Sequence, residues 1–302
     1  MTPAVPVITG PTAAGKSALA MAIARATGAV LVSADSRQVY RGFDVGTAKP
    51  SPTERAEVLH HGIDIADPGD RWHAARWATA ARSWIAEARR AGRPVLVVGG
   101  TGLWIRALAA PLFEEPPLDP AARARLAADL APLDTATLRA RVAAVDPARA
   151  HLGRAQLLRA LEVATLTGVT QSTLMAAGPS VPPIPLAYAV VDPGPALADR
   201  IAARTARMFD EGWLEEVVAL RRHVPATAPA WKATGYEHVA ALADGRLSRD
   251  AATEAIVVAT RQYAKRQRTW QRHQLPPSDV IRLDPDAPDA RGRALAWFEE
   301  FA

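Results

Sequence analysis

Cysteine is absent from the 302 residues, which excludes disulfides, thiolate catalysis and thiolate-held zinc and suits a reducing compartment. Lysine is scarce: of 36 basic residues only Lys16, Lys49, Lys232 and Lys265 are lysines. No stretch approaches the roughly eighteen uninterrupted apolar residues of a membrane span, and no basic segment followed by an apolar one opens the chain. The expectation is a soluble, cytoplasmic protein with no membrane contact. An apolar content of 49% marks a globular chain, long enough for one large core and a smaller lobe or insertion. The formal net charge of +5 invites a polyanionic partner. Genome composition can also enrich Arg and Ala, so the placement of the charges carries more weight than their number. A basic surface weakly disfavours self-association, and a monomer is expected.

The clearest signal comes at the start. The apolar run Val5 to Thr9 leads into Gly10-Pro11-Thr12-Ala13-Ala14-Gly15-Lys16-Ser17, a match to G-x-x-x-x-G-K-S/T, and an Ala/Leu-rich helical stretch follows. A strand that delivers such a turn into a helix surrounds an anion with backbone N–H groups and the helix N-terminus, while Lys16 adds a mobile positive charge. Ser17 offers a hydroxyl to Mg²⁺, the one cofactor expected. The loop reads as a site for a di- or triphosphate.

Short apolar, β-branched runs recur at residues 29–33, 94–98 and 186–191, separated by helical patterns. This alternation predicts an α/β fold, a P-loop three-layer core with a parallel sheet, whose ligands sit beyond the carboxyl ends of the strands. Asp35 and Thr101 fall just past two such ends. Between Pro111 and Pro185 the strand signal vanishes, which predicts an inserted all-helical domain at 112–185 between core segments 1–111 and 186–302. From Ala121 to Arg159 that insertion carries seven Arg against three Asp, a basic face or an ordinary solvated one. Helical patterns resume at 197–211, 214–222, 232–243 and 249–272. In the last of these, at about 100° per residue, Arg261, Lys265, Arg268 and Arg272 fall in one stripe, with Ile256, Ala259, Tyr263 and Trp270 opposite. No carboxylate interrupts 261–272, so the stripe predicts contact with a nucleic acid backbone.

Further blocks follow in order: Asp35-Ser36-Arg37-Gln38-Val39-Tyr40, Gly46-Thr47-Ala48-Lys49-Pro50, His60-His61-Gly62-Ile63-Asp64-Ile65, Gly99-Gly100-Thr101-Gly102-Leu103 and Thr260-Arg261-Gln262-Tyr263-Ala264-Lys265-Arg266-Gln267. Together with the phosphate loop they resemble the bacterial tRNA dimethylallyltransferases across nearly the whole chain. The resemblance implies transfer of a dimethylallyl group from dimethylallyl diphosphate to the exocyclic amine of the adenine immediately 3′ of a tRNA anticodon. The phosphate loop would then hold a prenyl diphosphate, and the tRNA anticodon arm would be the partner. It implies catalytic roles for Asp35, Thr101 and Lys16. Asp35 is read as the base that takes the amine proton, with a Mg²⁺ anchor or a turn cap as the alternatives. Thr101 is read as a contact to the reacting centre, or else as a helix N-cap. Gln38 has the donor and acceptor needed for an adenine edge. Ser36 and Arg37 accompany it, Arg123 and Arg159 join as tRNA contacts from the insertion, and the Arg200–Arg204 pair reaches for the diphosphate or lies on a solvated face. The His60–His61 pair is read as structural, since adjacent side chains point apart. The sequence departs from the family at His151-Leu152-Gly153-Arg154 and at Gln156, one residue shorter than the usual pattern and lacking its first Arg. Trp72-His73 and Trp104 also stand where other aromatic and small residues are usual.

Overall fold

A computed structural model of the chain describes residues 3–110, 118–177, 182–276 and 280–301; residues 111–117 and 178–181, which the sequence places at the two ends of the insertion, lie outside them. Among the described residues the chain forms β1 (Val5–Thr9), α1 (Lys16–Thr27), β2 (Val30–Ser33), α2 (Pro52–Glu57), β3 (His60–His61), α3 (Ala74–Arg90), β4 (Val95–Val98) and α4 (Gly102–Ala109). Four helices follow: α5 (Pro120–Leu130), α6 (Thr135–Val145), α7 (Arg154–Thr167) and α8 (Gln171–Ala176). The chain then returns to β5 (Leu186–Val191), α9 (Leu197–Asp210), α10 (Trp213–Leu220), α11 (Tyr236–Ala243), α12 (Arg249–Gln274), β6 (Val280–Leu283) and α13 (Ala290–Glu299). It divides into two compact units, Met1–Ala109 with Ile184–Ala302, and Ala110–Pro183.

In the first unit six strands form one sheet in the order β3-β2-β4-β1-β5-β6, every pairing parallel. β1 and β5 are buried along their whole length, because helices cover both faces of a parallel sheet and leave no solvated side to alternate with. One face packs Ile8, Leu31 and Leu96 against Met21 and Ile23 of α1 and Trp297 and Phe298 of α13. On α3 and α4, Trp77 and Trp104 stack at 5.2 Å, and the Trp77 indole N–H donates to the Ser33 carbonyl at 2.9 Å. That bond fixes the end of β2 just before Asp35. The edge strands β3 and β6 escape the sequence reading because one is two residues long and the other is a four-residue run, Val280-Ile281-Arg282-Leu283, broken by an exposed Arg.

The second unit is wholly helical among its described residues, around a core of Leu130, Leu138, Val142, Leu157, Ala160 and Leu161. Its helices begin where side chains satisfy free amide groups: Asp119 accepts from Ala122 N–H, and Asp134 accepts from Thr137 N–H, both at 2.7 Å. The shortened segment has a local task here. Gly153 stands before α7, its N–H donates to Gln156 Oε1 at 3.2 Å, and Arg154 reaches back to the carbonyls of Ala131 and Leu133.

Candidate active site

The order β2-β4-β1 places three strand ends side by side, so the loops that follow them must meet. After β1 the phosphate loop turns through Ala13 at φ 63° and Gly15 at φ 93° into α1. After β2 comes Asp35, and after β4 the Gly99-Gly100-Thr101 turn, tied together by Ala34 N–H to Val98 carbonyl at 2.8 Å and Thr101 N–H to Ala34 carbonyl at 3.2 Å. A cavity of about 850 Å³ opens at this junction, lined by residues 12–17, Asp35, Gln38, Gly99, Gly100, Arg200, Arg204, Tyr263 and Gln267.

Lys16 donates from Nζ to the Pro11 carbonyl at 2.7 Å across the loop. Burial lowers its pKa to about 8, with Asp35 opposing that shift and Arg204 adding to it. Arg204 donates from Nη1 to Thr12 Oγ1 at 2.9 Å, and its own pKa is lowered chiefly by burial and held up by Asp35. Arg200 lines the same cavity, with a guanidinium nitrogen 3.3 Å from where a Cβ on Gly15 would lie, while its other end pairs with Asp286. Both arginines therefore stand at the phosphate loop. Ser17 is exposed at the start of α1 and lines the cavity.

Asp35 accepts the Arg37 N–H at 2.8 Å, so one oxygen caps its own turn and the other is left for the cavity. Thr101 accepts the Ser36 N–H at 3.1 Å and lies 3.5 Å from the Ser36 hydroxyl. The first amides of α4 turn instead to the Thr101 carbonyl, from Trp104 at 2.9 Å and Ile105 at 3.2 Å, so its hydroxyl is not spent as an N-cap. Tyr263 has its pKa pushed up to about 12 by burial and then by Asp35. The helical-wheel reading put Tyr263 on the packing face; it packs, but onto the cavity.

Several expected contacts prove to be engaged elsewhere. The Gln38 amide accepts from Ser33 Oγ at 2.9 Å and donates to the carbonyls of Thr47 and Ala48 at 3.3 and 3.0 Å, so it braces the loop rather than offering a free edge to a base. Arg37 donates to the Pro229 carbonyl at 3.3 Å. Arg123 and Arg159 both grip Glu162, whose pKa is lowered by these two arginines against its burial, so neither is a free cation for RNA. Arg268 holds Asp192 at 2.9 Å and the Gly194 carbonyl at 2.7 Å. The stripe on α12 is thereby turned: Arg268 leaves the solvated side and Arg266 joins Arg261, Lys265 and Arg272, all four exposed, with no carboxylate in ion-pair contact among the described residues. Substituting Arg261, Lys265 and Arg272 together by Gln should weaken RNA binding and lower the slope of log K against log salt by about 2 to 3, as read by filter binding across a salt series.

The Gly46–Pro50 block forms a wall of the cavity and is locked from behind. Glu216 of α10 accepts the N–H groups of Asp44, Val45 and Gly46 at 2.7, 2.6 and 3.3 Å and the Tyr236 hydroxyl at 2.6 Å. The Lys49 side chain, 1% exposed, donates to the Tyr40 carbonyl and to Asp44 and Asp64. Lys49→Met would strand these acceptors and should lower stability by about 1–3 kcal/mol in urea unfolding. His60 bonds the Val58 carbonyl at 2.7 Å and His61 stacks on Trp84, as suits structural residues. No three His, Asp or Glu among the described residues stand together as a metal cage, and no helix there is long and apolar enough to cross a membrane.

Comparison with known proteins places this geometry in context. The sequence matches the family described as IPP transferase over residues 38–274, and one described as isopentenyl transferase over residues 3–60. A tRNA dimethylallyltransferase of Phenylobacterium zucineum is 46% identical over 91% of this chain and 91% of its own. Its counterpart in Deinococcus radiodurans is 41% identical over 97% and 96%. Among solved structures, the full-length tRNA isopentenylpyrophosphate transferase of Bacillus halodurans superposes with a TM-score of 0.69 at 29% identity, covering 98% of this chain and 97% of that one. A eukaryotic dimethylallyltransferase acting on tRNA shares the fold, with a TM-score of 0.83 at 24% identity over 99% and 79%.

Proposed function

The chain belongs to the IPP transferase family, and from that premise we propose that it transfers a dimethylallyl group from dimethylallyl diphosphate to the exocyclic amine of the adenine 3′ of a tRNA anticodon, releasing diphosphate. The observation that carries this reading is the meeting of a phosphate loop and a carboxylate, Asp35, in one cavity. A loop for phosphates alone would serve many reactions.

In the proposed reaction the allylic C–O bond breaks, a C–N bond forms to adenine, and the amine proton passes to Asp35. Negative charge grows on the leaving diphosphate, and Lys16, Arg204 and the loop amides face that charge, so their hold strengthens towards the transition state. Mg²⁺ takes one or two protein oxygens and keeps several waters, so the exposed Ser17 hydroxyl beside the loop fits it without an all-protein cage. When bound, the ion would neutralise part of the diphosphate charge. An adenine amine is a weak nucleophile, its lone pair delocalised into the ring, and a carboxylate that accepts its proton raises its reactivity. Thr101 holds the Asp35–Ser36 loop in register with the turn after β4. The exposed cations of α12 would take the RNA backbone while the adenine leaves its stack.

The test is a competition. With Mg²⁺, unmodified tRNA, labelled dimethylallyl diphosphate and labelled ATP in one mixture, prenyl label should enter the RNA and γ-phosphate should not. Transfer of γ-phosphate would instead make the protein a kinase.

A further inference from the structure

One buried side chain outside the roles assigned so far touches two of the loops that build the cavity. Gln267 on α12 is 7% exposed; its Oε1 accepts the Thr12 N–H of the phosphate loop at 2.7 Å, and its Nε2 donates to the Gly100 carbonyl at 2.9 Å. A Cβ on Gly100 would lie 2.3 Å from that Nε2, and one on Gly102 would lie 2.2 Å from the Trp270 ring, so glycine is required for the turn to approach α12 this closely. The Thr12 hydroxyl is held from the other side by Arg204. Thr12 thus gives its N–H to a protein side chain rather than to an anion, unlike the usual use of amides in such a loop.

We infer that Gln267 is a positioning residue: its amide sets the distance between the phosphate loop, which holds the leaving group, and the Gly100-Thr101 turn beside Asp35. Only an amide does this at one length, because the position needs an acceptor for Thr12 and a donor for Gly100. Glutamate supplies the acceptor alone and sets an oxygen against the Gly100 carbonyl; methionine fills the volume and supplies neither. The two halves of the reaction, ionisation at the diphosphate and attack by the amine, depend on this spacing, and a displacement of about 1 Å costs on the order of 10²-fold in rate.

The inference rests on the prenyl-transfer reading, and the experiment separates the two. Gln267→Met and Gln267→Glu are compared with the wild-type chain and with Gln271→Met, a neighbour of similar burial whose amide reaches Thr9 Oγ1 at 3.4 Å. Expected for both Gln267 variants is a kcat lower by about 10²-fold. The dissociation constant for inorganic diphosphate, read by calorimetry, should stay within a few-fold, and Gln271→Met should keep near-normal kcat. Unchanged kcat in Gln267→Met overturns the inference, as does a loss of diphosphate affinity in proportion to kcat, or an equal loss in Gln271→Met. Failure of both Gln267 variants to fold would assign the residue to the core and overturn it as well. If the wild-type chain itself transfers no prenyl group, it is the proposed function that fails.

Discussion

Asp35→Asn lowers turnover by about 10²- to 10⁴-fold while affinity for dimethylallyl diphosphate stays within a few-fold. Asparagine keeps the shape and can still accept the Arg37 N–H, so the turn after β2 survives, but it cannot take a proton from the amine. The comparison belongs near pH 7, because Asp35 also holds up the pKa of Lys16, and its loss lets burial lower that value further. Single-turnover measurements separate the chemical step from binding. A variant that instead loses Mg²⁺ affinity in parallel with rate would reassign Asp35 as a metal anchor.

Lys16→Met lowers kcat by about 10²- to 10³-fold, the loss expected when one preorganised charge facing a leaving group is removed. The pH profile gives the same residue a signature. With its pKa lowered to about 8, Lys16 in the free protein carries its charge below that pH and loses it above. The kcat/KM for dimethylallyl diphosphate should therefore be level on the acid side of pH 8 and fall above it. Bound diphosphate favours the charged ammonium, so the corresponding limb in kcat should lie at higher pH. Lys16→Met should lack this limb altogether; an unchanged alkaline limb in the variant would assign it to another group.

Much of this site is legible in the sequence. The phosphate loop, the buried strands β1 and β5, and the placement of Asp35 and Thr101 just past strand ends all follow from local pattern, since a strand, a turn and a helix are each encoded within about a dozen residues. What the pattern withheld depends on partners far along the chain. Arg268 looks like a surface cation until Asp192, 76 residues earlier, is brought beside it by the end of β5. Gln267 looks like one more polar residue on a charged helix until Thr12, 255 positions away, meets it. A local sign was available for Arg159, which pairs with Glu162 at i,i+3, and that spacing argues against treating it as a free cation. On α12 an ideal wheel finds the charged side but not its centre, which is set by what Ile256, Ala264, Gln267 and Gln271 pack against.

The central claim is that a phosphate loop here serves the ionisation of an allylic ester next to an RNA base. Its most direct measurement is mass spectrometry of the nuclease fragments and nucleosides of unmodified tRNA after reaction with the purified chain, dimethylallyl diphosphate and Mg²⁺. The account predicts a dimethylallyl group on the exocyclic amine of the adenine 3′ of the anticodon, formed in step with released diphosphate. Unaltered adenosine at that position, or a prenyl group on any other nucleoside, would contradict it.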